Sequence, residues 1–251
     1  MMETLLLCAA AFMGGALNTI AGGGSFLTLP VLMFAGVPAV AANATGAVAL
    51  LPGYLAGALS LGRGRADRPG LMPLGQLAIL SCAGGALGAY LLTQTGDAAL
   101  RGIVPWMMLL ATLMFMAGPA WIARRARGAA SAEVSVSEAG LRAGLFAASI
   151  YGGYFNGGMG ILLLALFALA GHRDLLAMNQ AKNWASAVLT LMAAGVYSAG
   201  GAVDWPRAMP MMVAGALGGW AGGRLAHRLP VAVVRRGVIV VGLAMTAALF
   251  R

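Results

Sequence analysis

Long apolar segments separated by short polar loops follow one another along the whole chain. Most of them reach the length of about 20 residues that a helix needs to cross the hydrocarbon core of a bilayer. Two of them hold only 12 residues each. The pattern therefore predicts an all-α polytopic membrane protein. Its ten segments are residues 2–17, 25–36, 39–61, 71–95, 101–123, 141–155, 160–171, 175–199, 204–226 and 236–250.

The second five segments repeat the first five. The stretch AGGGSFLTLPVLMFAGVPAVAANATG, from Ala21, aligns with NGGMGILLLALFALAGHRDLLAMNQAK, from Asn156, with one inserted residue. Further along, AGGALGAYLL from Ala83 matches LGGWAGGRLA from Leu217. Self-similarity of this kind indicates an internal duplication. We predict a first membrane repeat over residues 1–123, a linker over 124–140 and a second repeat over 141–251.

Composition agrees with a membrane protein and excludes a soluble domain. Hydrophobic residues make up 61% of the chain and charged residues 9%, whereas about 25% of the residues of a soluble domain are charged. The formal net charge is +9, but the arginines lie in loops between apolar segments and not along one helix face. We therefore expect the lipid bilayer as a partner and no nucleic acid.

The arginines also predict the orientation in the membrane. Three basic regions should face the cytoplasm, and the nearly neutral loops around Asp97 and Asp204 should face outside. Equivalent loops of the two halves then carry opposite charge, which is typical of inverted-topology repeats. The prediction is a multi-pass protein of the inner (plasma) membrane with a cytoplasmic linker and an external C-terminus. The basic regions contain Arg63, Arg65 and Arg68; Arg124, Arg125, Arg127 and Arg142; and Arg224, Arg228, Arg235 and Arg236.

The two short segments leave the number of crossings open. At 1.5 Å per residue, 12 residues span about 18 Å, less than the hydrocarbon core of about 30 Å. The first two segments of each half form either a re-entrant hairpin that turns at mid-depth or two crossings of a locally thinned bilayer. Both alternatives keep an odd number of crossings per half, so both preserve the inversion. We favour the hairpin.

Each short segment follows a glycine-rich break, GGGS at residues 22–25 and GGMG at 157–160. Irregular backbone is tolerated at membrane depth only where it is buried in protein or lines a wet cavity. Each break opens a helix, so its free N–H groups and the helix dipole favour an anion. The alternative is close helix packing through small residues. We prefer packing for Gly84, Gly88, Gly218 and Gly222, and ligand binding for the two breaks.

Polar residues accompany both breaks, and one of them is charged. Lys182 is the one lysine of the chain, eight residues beyond Asp174 and therefore about 12 Å along its helix. Such a lysine costs several kcal/mol unless it is paired or hydrated, and no acidic residue lies equally deep. We predict an anionic ligand as its partner; snorkelling and deprotonation are the alternatives. The candidate binding residues are Asn18, Thr19, Gly22, Gly23, Gly24, Ser25, Asn43, Thr45, Tyr151, Tyr154, Asn156, Gly157, Gly158, Gly160, Asn179, Lys182 and Asn183.

These features predict a permease rather than an enzyme, with no catalytic residues, metal or cofactor. A relay of buried carboxylates is not visible, so we expect export driven by the inside-negative potential, worth about 2.3 kcal/mol per charge per 100 mV. An intramembrane serine protease needs a general base near its serine, and the two histidines, His172 and His227, lie near segment ends. A structural scaffold is a further alternative. The sequence leaves open whether the protein forms a homodimer.

The two break regions resemble the sulfite exporter TauE/SafE family: GGGSFLTLPVLMFAGVPAVAANATGAVALLPGYLAGA and YGGYFNGGMGILLLALFALAGHRDLLAMNQAKNWASAVL. The resemblance covers nearly the whole chain and implies export of a small anion, such as sulfite, sulfoacetate or a related sulfur oxyanion. Some members are linked to other small organic acids, so a proton-coupled carrier of such an acid is the alternative. By position, the family's glycine-rich motif falls on 22–25 and 157–160, and its Asn/Lys-Asn motif on Asn179, Lys182 and Asn183. The first half has Gly46 where the second has Lys182, which implies an asymmetric site.

Overall fold

The computed structural model is helical and describes residues 2–20, 22–62, 72–128, 136–172, 174–225, and 239–250 with gaps. No strand occurs within these ranges. In the part of the chain that the structure describes, four helices are long and apolar enough to cross a membrane: α1, α3, α4 and residues 97–114 of α5. The helices are α1 Met2–Ile20, α2 Ser25–Phe34, α3 Ala39–Gly62, α4 Leu74–Gln94, α5 Asp97–Gly128, α6 Glu138–Tyr154, α7 Met159–Leu169, α8 Leu175–Ala199 and α9 Trp205–Leu225.

Most predicted segments match these helices to within a few residues, but α5 is longer than predicted. It runs for 32 residues and continues through Arg124, Arg125 and Arg127, because arginine is a good helix former and does not end a helix. The predicted linker therefore begins inside a helix. The middle of that linker and the predicted basic loops at residues 63–68 and 228–236 lie outside the described residues, as does His227.

The chain leaves the helical conformation at both predicted breaks. Between α1 and α2, Gly22 and Gly23 have φ angles of 84° and 93°, in the left-handed region that glycine adopts without steric cost. Between α6 and α7, Gly158 has φ 75° and Asn156 has φ 61°. The short helices that follow have 10 residues in α2 and 11 in α7, which corresponds to about 15–17 Å.

The packing pattern of α1–α4 recurs in α6–α9. Helix α1 packs against α9 and α3, while its repeat equivalent α6 packs against α4 and α8. The short helix α2 contacts α1 and α3, and α7 contacts α6 and α8 in the same way. Helices α3 and α8 contact each other at the centre. Exchanging α1–α4 with α6–α9 therefore leaves these neighbours unchanged.

Contacts at one end of the bundle give the relative directions of the helices. Val40 N–H at the start of α3 donates to Asp97 Oδ1, just after the end of α4, at 2.8 Å. Asp204 N–H, after the end of α8, donates to Thr45 Oγ1 at 2.9 Å, and Arg207 joins Glu3 to Asp204. We call this end, which holds Glu3, Asp97 and Asp204, the aspartate face. Helices α1, α3 and α9 start there, whereas α4 and α8 end there.

Glycines bring pairs of helices into backbone contact. In α9, Gly218 lies against the Phe12 carbonyl of α1, and Gly222 lies against Ala16 one turn further. In α4, Gly84 lies against Ser149 of α6, and Gly88 against the Ile150 carbonyl. Each pair is therefore parallel, because both residue numbers rise together along the contact. Consequently α6 runs towards the aspartate face, opposite to α1.

Candidate functional site

Lys182 lies in the interior of the bundle, with 1% of its surface exposed. Its ammonium nitrogen Nζ donates to the Asn18 carbonyl oxygen at 2.7 Å and to Asn179 Oδ1 at 2.8 Å. Both acceptors are neutral, and no carboxylate of the described residues forms an ion pair with Lys182. An ammonium group has three N–H donors, so one of them is left for a further acceptor. The side chain is anchored, but its charged form has no counter-ion within the described chain.

The two glycine breaks meet beside this ammonium group. A Cβ atom added at Gly160 would lie 2.9 Å from Gly22 Cα and 3.3 Å from Lys182 Cδ. Since real Cβ atoms almost never come this close to a backbone atom, only glycine fits there. The start of α7 therefore contacts both the loop after α1 and the lysine stem. The absent side chains of Gly22 and Gly160 create this arrangement.

Two asparagines, one at each break, accept a hydrogen bond through the side-chain oxygen and have a buried amino group. Asn18 Oδ1 accepts from Gly24 N–H at 2.6 Å. A backbone N–H can only donate, so this contact fixes the orientation of the Asn18 amide. Asn156 Oδ1 lies 3.1 Å from the Tyr54 hydroxyl. The Asn156 amino group is buried and lacks a hydrogen-bond acceptor among the described residues, whereas the Asn18 amino group lies next to the Tyr54 hydroxyl.

Tyr54 was missed by the sequence analysis, although it contacts both breaks. It is buried in α3, and its hydroxyl group lies next to the side chains of Asn156 and Asn18. The position of this tyrosine inside the uncharged segment 39–61 could have identified it as a candidate site residue, because a buried tyrosine hydroxyl usually has a polar partner. Which polar group it reaches depends on a contact between residues 102 positions apart.

The other predicted residues fall into two groups. One group lies at the breaks and is tied to backbone: Asn43 donates to the Tyr154 carbonyl at 2.7 Å, and Tyr151 donates to the Gly157 carbonyl at 2.7 Å. Ser25 and Asn183 are buried there or nearby, with side-chain atoms that lack partners in the described structure. The second group has packing contacts elsewhere. Thr19 donates to Gly15 and Gly219 in the α1–α9 contact, and Thr45 accepts from Asp204 at the aspartate face.

Titratable and metal-binding groups are sparse around the cluster. No set of three His, Cys, Asp or Glu residues within the described ranges could hold a metal ion. His172 lies in the loop after α7, where partial burial lowers its pKa below the ordinary value of histidine. The arrangement at the breaks thus consists of one ammonium group, amide donors and hydroxyls. Chemically, such a set favours a ligand that accepts hydrogen bonds and carries negative charge.

Comparison with known proteins identifies the family. A model of the sulfite exporter TauE/SafE family matches residues 7–249. The chain belongs to the TauE/SafE family. It is also 29% identical over 243 residues to a probable membrane transporter protein, ORF9, of Sinorhizobium sp, with 95% of this chain and 89% of the relative covered. A probable membrane transporter protein of Haemophilus influenzae Rd is 27% identical over 250 residues, with 97% and 92% covered.

Membership confirms the resemblance that the two break regions carry in the sequence. The TauE/SafE protein is a membrane transporter, and its apolar helices are those of a multi-pass membrane protein. The match extends over both glycine breaks and over Lys182. The cluster around Lys182 is accordingly the site at which a transported molecule has to be considered.

Proposed function

We propose that this TauE/SafE protein exports a small anion, sulfite or a related sulfur oxyanion or organosulfonate, through a site between the two glycine breaks. The observation that carries the proposal is the buried Lys182 ammonium group, whose two hydrogen-bond acceptors are uncharged. A buried ammonium without a counter-ion is strongly destabilised. An anion that enters the site removes this cost, so the free energy of the empty site favours binding.

The other polar groups of the site support an oxyanion in particular. The amino group of Asn156 and the hydroxyl of Ser25 are buried without partners in the described structure. Sulfite offers three oxygen acceptors on one small centre, and organosulfonates offer the same group on a carbon stem. Hydrogen bonds from these donors to charged oxygens are about twice as strong as those to neutral ones.

The relative directions of the helices support an inverted repeat as the transport scaffold. Helix α1 starts at the aspartate face, and its equivalent α6 runs towards that face. In transporters built this way, the substrate site lies near the bilayer midplane, where the two repeats meet. We extend the proposal to a re-entrant α1–α2 and α6–α7 arrangement in the inner membrane, with the aspartate face outside and residues 124–140 in the cytoplasm.

The membrane potential is the proposed driving force. An inside-negative potential of 100 mV favours the exit of each negative charge by about 2.3 kcal/mol. The described acidic residues Glu3, Asp97, Glu138, Asp174 and Asp204 all lie at helix ends or in loops, outside the cluster. The transporter then works by alternating access or as a channel, without a carboxylate relay.

The test is sulfite efflux from proteoliposomes under an imposed potential, with wild type compared with Lys182→Met. Methionine has a similar length and keeps the space filled while it removes the charge. We expect wild-type efflux to rise with inside-negative potential and the variant to lose at least about tenfold of it, since a hydrogen bond to a charged group contributes about 1.5–3 kcal/mol.

Arg142→Ala is the matched control, because it also removes one positive charge but from an exposed pair with Glu138. Its efflux should equal that of wild type. Equal efflux of Lys182→Met and wild type would remove the lysine from the mechanism. Efflux that follows an imposed pH gradient at zero potential would instead favour a proton-coupled carrier of a small organic acid. A scaffold would show no flux of sulfite, thiosulfate, sulfoacetate or small carboxylates.

A further inference from the structure

The contact between Tyr54 and Asn156 joins the two repeats at the proposed anion site. Tyr54 belongs to α3 of the first repeat, whereas Asn156 belongs to the break of the second. The hydroxyl and Asn156 Oδ1 are 3.1 Å apart, and each residue has 4% of its surface exposed. Asn156 has a positive φ angle of 61°, which is uncommon for a residue other than glycine. Its backbone is therefore held in an unusual position directly beside the tyrosine.

The direction of this hydrogen bond follows from the neighbours. A tyrosine hydroxyl can donate or accept, so the distance alone leaves the Asn156 amide free to turn. Asn18 also lies next to the hydroxyl, and its oxygen is already bound to Gly24 N–H. The Asn18 group that remains is an amino group, which can only donate. The hydroxyl oxygen therefore faces a donor on that side, and its proton points to Asn156 Oδ1.

We propose that Tyr54 is a positioning residue of the anion site: it holds the Asn156 amide with its oxygen away from the anion and its amino group available to it. The inference rests on the proposed function. The Asn156 amino group is buried and has no acceptor in the described part of the chain, as expected of a donor kept for a ligand. Without the hydroxyl, the amide turns to satisfy its amino group and presents a carbonyl oxygen to the anion, which repels it.

Tyr54→Phe tests this role, because it removes the hydroxyl and keeps the ring. We expect the KM for sulfite efflux and the sulfite concentration that gives half-maximal thermal stabilisation to rise about tenfold. The maximal rate should change by less than about threefold, because the tyrosine does not contact the anion. Asn156→Ala should give a similar rise in KM. The double variant should be no worse than Asn156→Ala alone, since Tyr54 acts through Asn156.

Tyr197→Phe is the matched control. Tyr197 is equally buried, and its hydroxyl also bonds to the end of α6, but to the backbone carbonyl of Gly153 and not to an amide side chain. Its KM should stay at the wild-type value. Unfolding temperatures without sulfite show whether each variant is folded. If Tyr54→Phe is unstable, Asn156→Ala tests the same hydrogen bond by removing the other partner.

The outcomes separate this inference from the function on which it rests. If sulfite stabilises wild type but not Lys182→Met, and Tyr54→Phe binds sulfite like wild type, the role of Tyr54 is disproved and the site stands. Additive losses in the double variant would overturn the role in the same way. If no sulfur oxyanion stabilises wild type, the proposed function fails and the role of Tyr54 in it fails too.

Discussion

The Lys182 stem packs against Gly160, in the space that a side chain at Gly160 would otherwise occupy. A Cβ atom at that position would come within 3.3 Å of Lys182 Cδ, closer than an ordinary van der Waals contact. The ammonium group is held on the far side by the Asn18 carbonyl and Asn179. Its position is thus fixed both by hydrogen bonds and by the absence of a side chain.

Gly160→Ala should weaken sulfite binding as well as lower stability. The added methyl group would push Gly22 or the Lys182 stem away from its place, and overpacking of this kind costs about 1–3 kcal/mol. We expect sulfite affinity to fall about tenfold, which corresponds to about 1.4 kcal/mol. Efflux and thermal stabilisation by sulfite would measure it.

Gly195→Ala is the control for that variant, because Gly195 lies in α8 and a Cβ there would meet nothing within 4 Å. Alanine is a better helix former by about 1 kcal/mol, so this variant should be as stable as wild type or more so, with unchanged efflux. Wild-type sulfite affinity in Gly160→Ala would show that the contact between the breaks does not shape the site.

At the scale of the helices, the glycine-lined contacts of α9 with α1 and of α4 with α6 serve helix packing, whereas the glycine breaks form the proposed anion site. The Cβ-free faces let the backbones touch, which is how helices associate where lipid offers no hydrophobic driving force. The sequence analysis prefers packing for Gly84, Gly88, Gly218 and Gly222, and each of them lies against a neighbouring helix. Substitutions of these glycines should therefore change the stability of the protein but not its affinity for the anion.

Gly218→Ala tests that separation. A Cβ atom at Gly218 would overlap the Phe12 carbonyl oxygen, so α1 and α9 must move apart. We expect a lower unfolding temperature, equivalent to about 1–3 kcal/mol, while the added stabilisation by sulfite stays equal to that of wild type. Gly102→Ala in α5, where a Cβ meets nothing within 4 Å, should not lower the unfolding temperature. A lost sulfite response in folded Gly218→Ala would contradict the division of roles.

The sequence was sufficient to predict most helices because an apolar run in lipid must satisfy its backbone hydrogen bonds internally. Glycine clusters mark where that run ends, so α2 and α7 were also predictable. The contact of Lys182 with Asn18 was not, since Asn18 is 164 residues away in the chain and only packing of the two halves brings them together. The contribution of Tyr54 was missed for the same reason.

At the scale of the whole molecule, the helix directions link all helix ends, so that the side of the membrane on which one end lies determines the side of every other end. The starts of α1, α3 and α9 and the ends of α4 and α8 share the aspartate face. Val136 N–H, just before α6, donates to Leu169 O at the end of α7, so both of these ends lie away from that face. Once one end is located, the location of the others follows.

Cysteine labelling from the outside locates them in a background with Cys8→Ala and Cys82→Ala. Ala98 and Ala199 are exposed near the aspartate face, whereas Ala139 is exposed at the start of α6. Because the basic regions should be cytoplasmic, we expect an impermeant maleimide to label Ala98→Cys and Ala199→Cys in intact cells, and Ala139→Cys only after permeabilisation. The reverse pattern would place the aspartate face in the cytoplasm and overturn the proposed orientation, although an inside-negative potential would still favour anion exit. Labelling of all three from outside would contradict the helix directions themselves, since Ala139 and Ala98 would then share one side of the membrane.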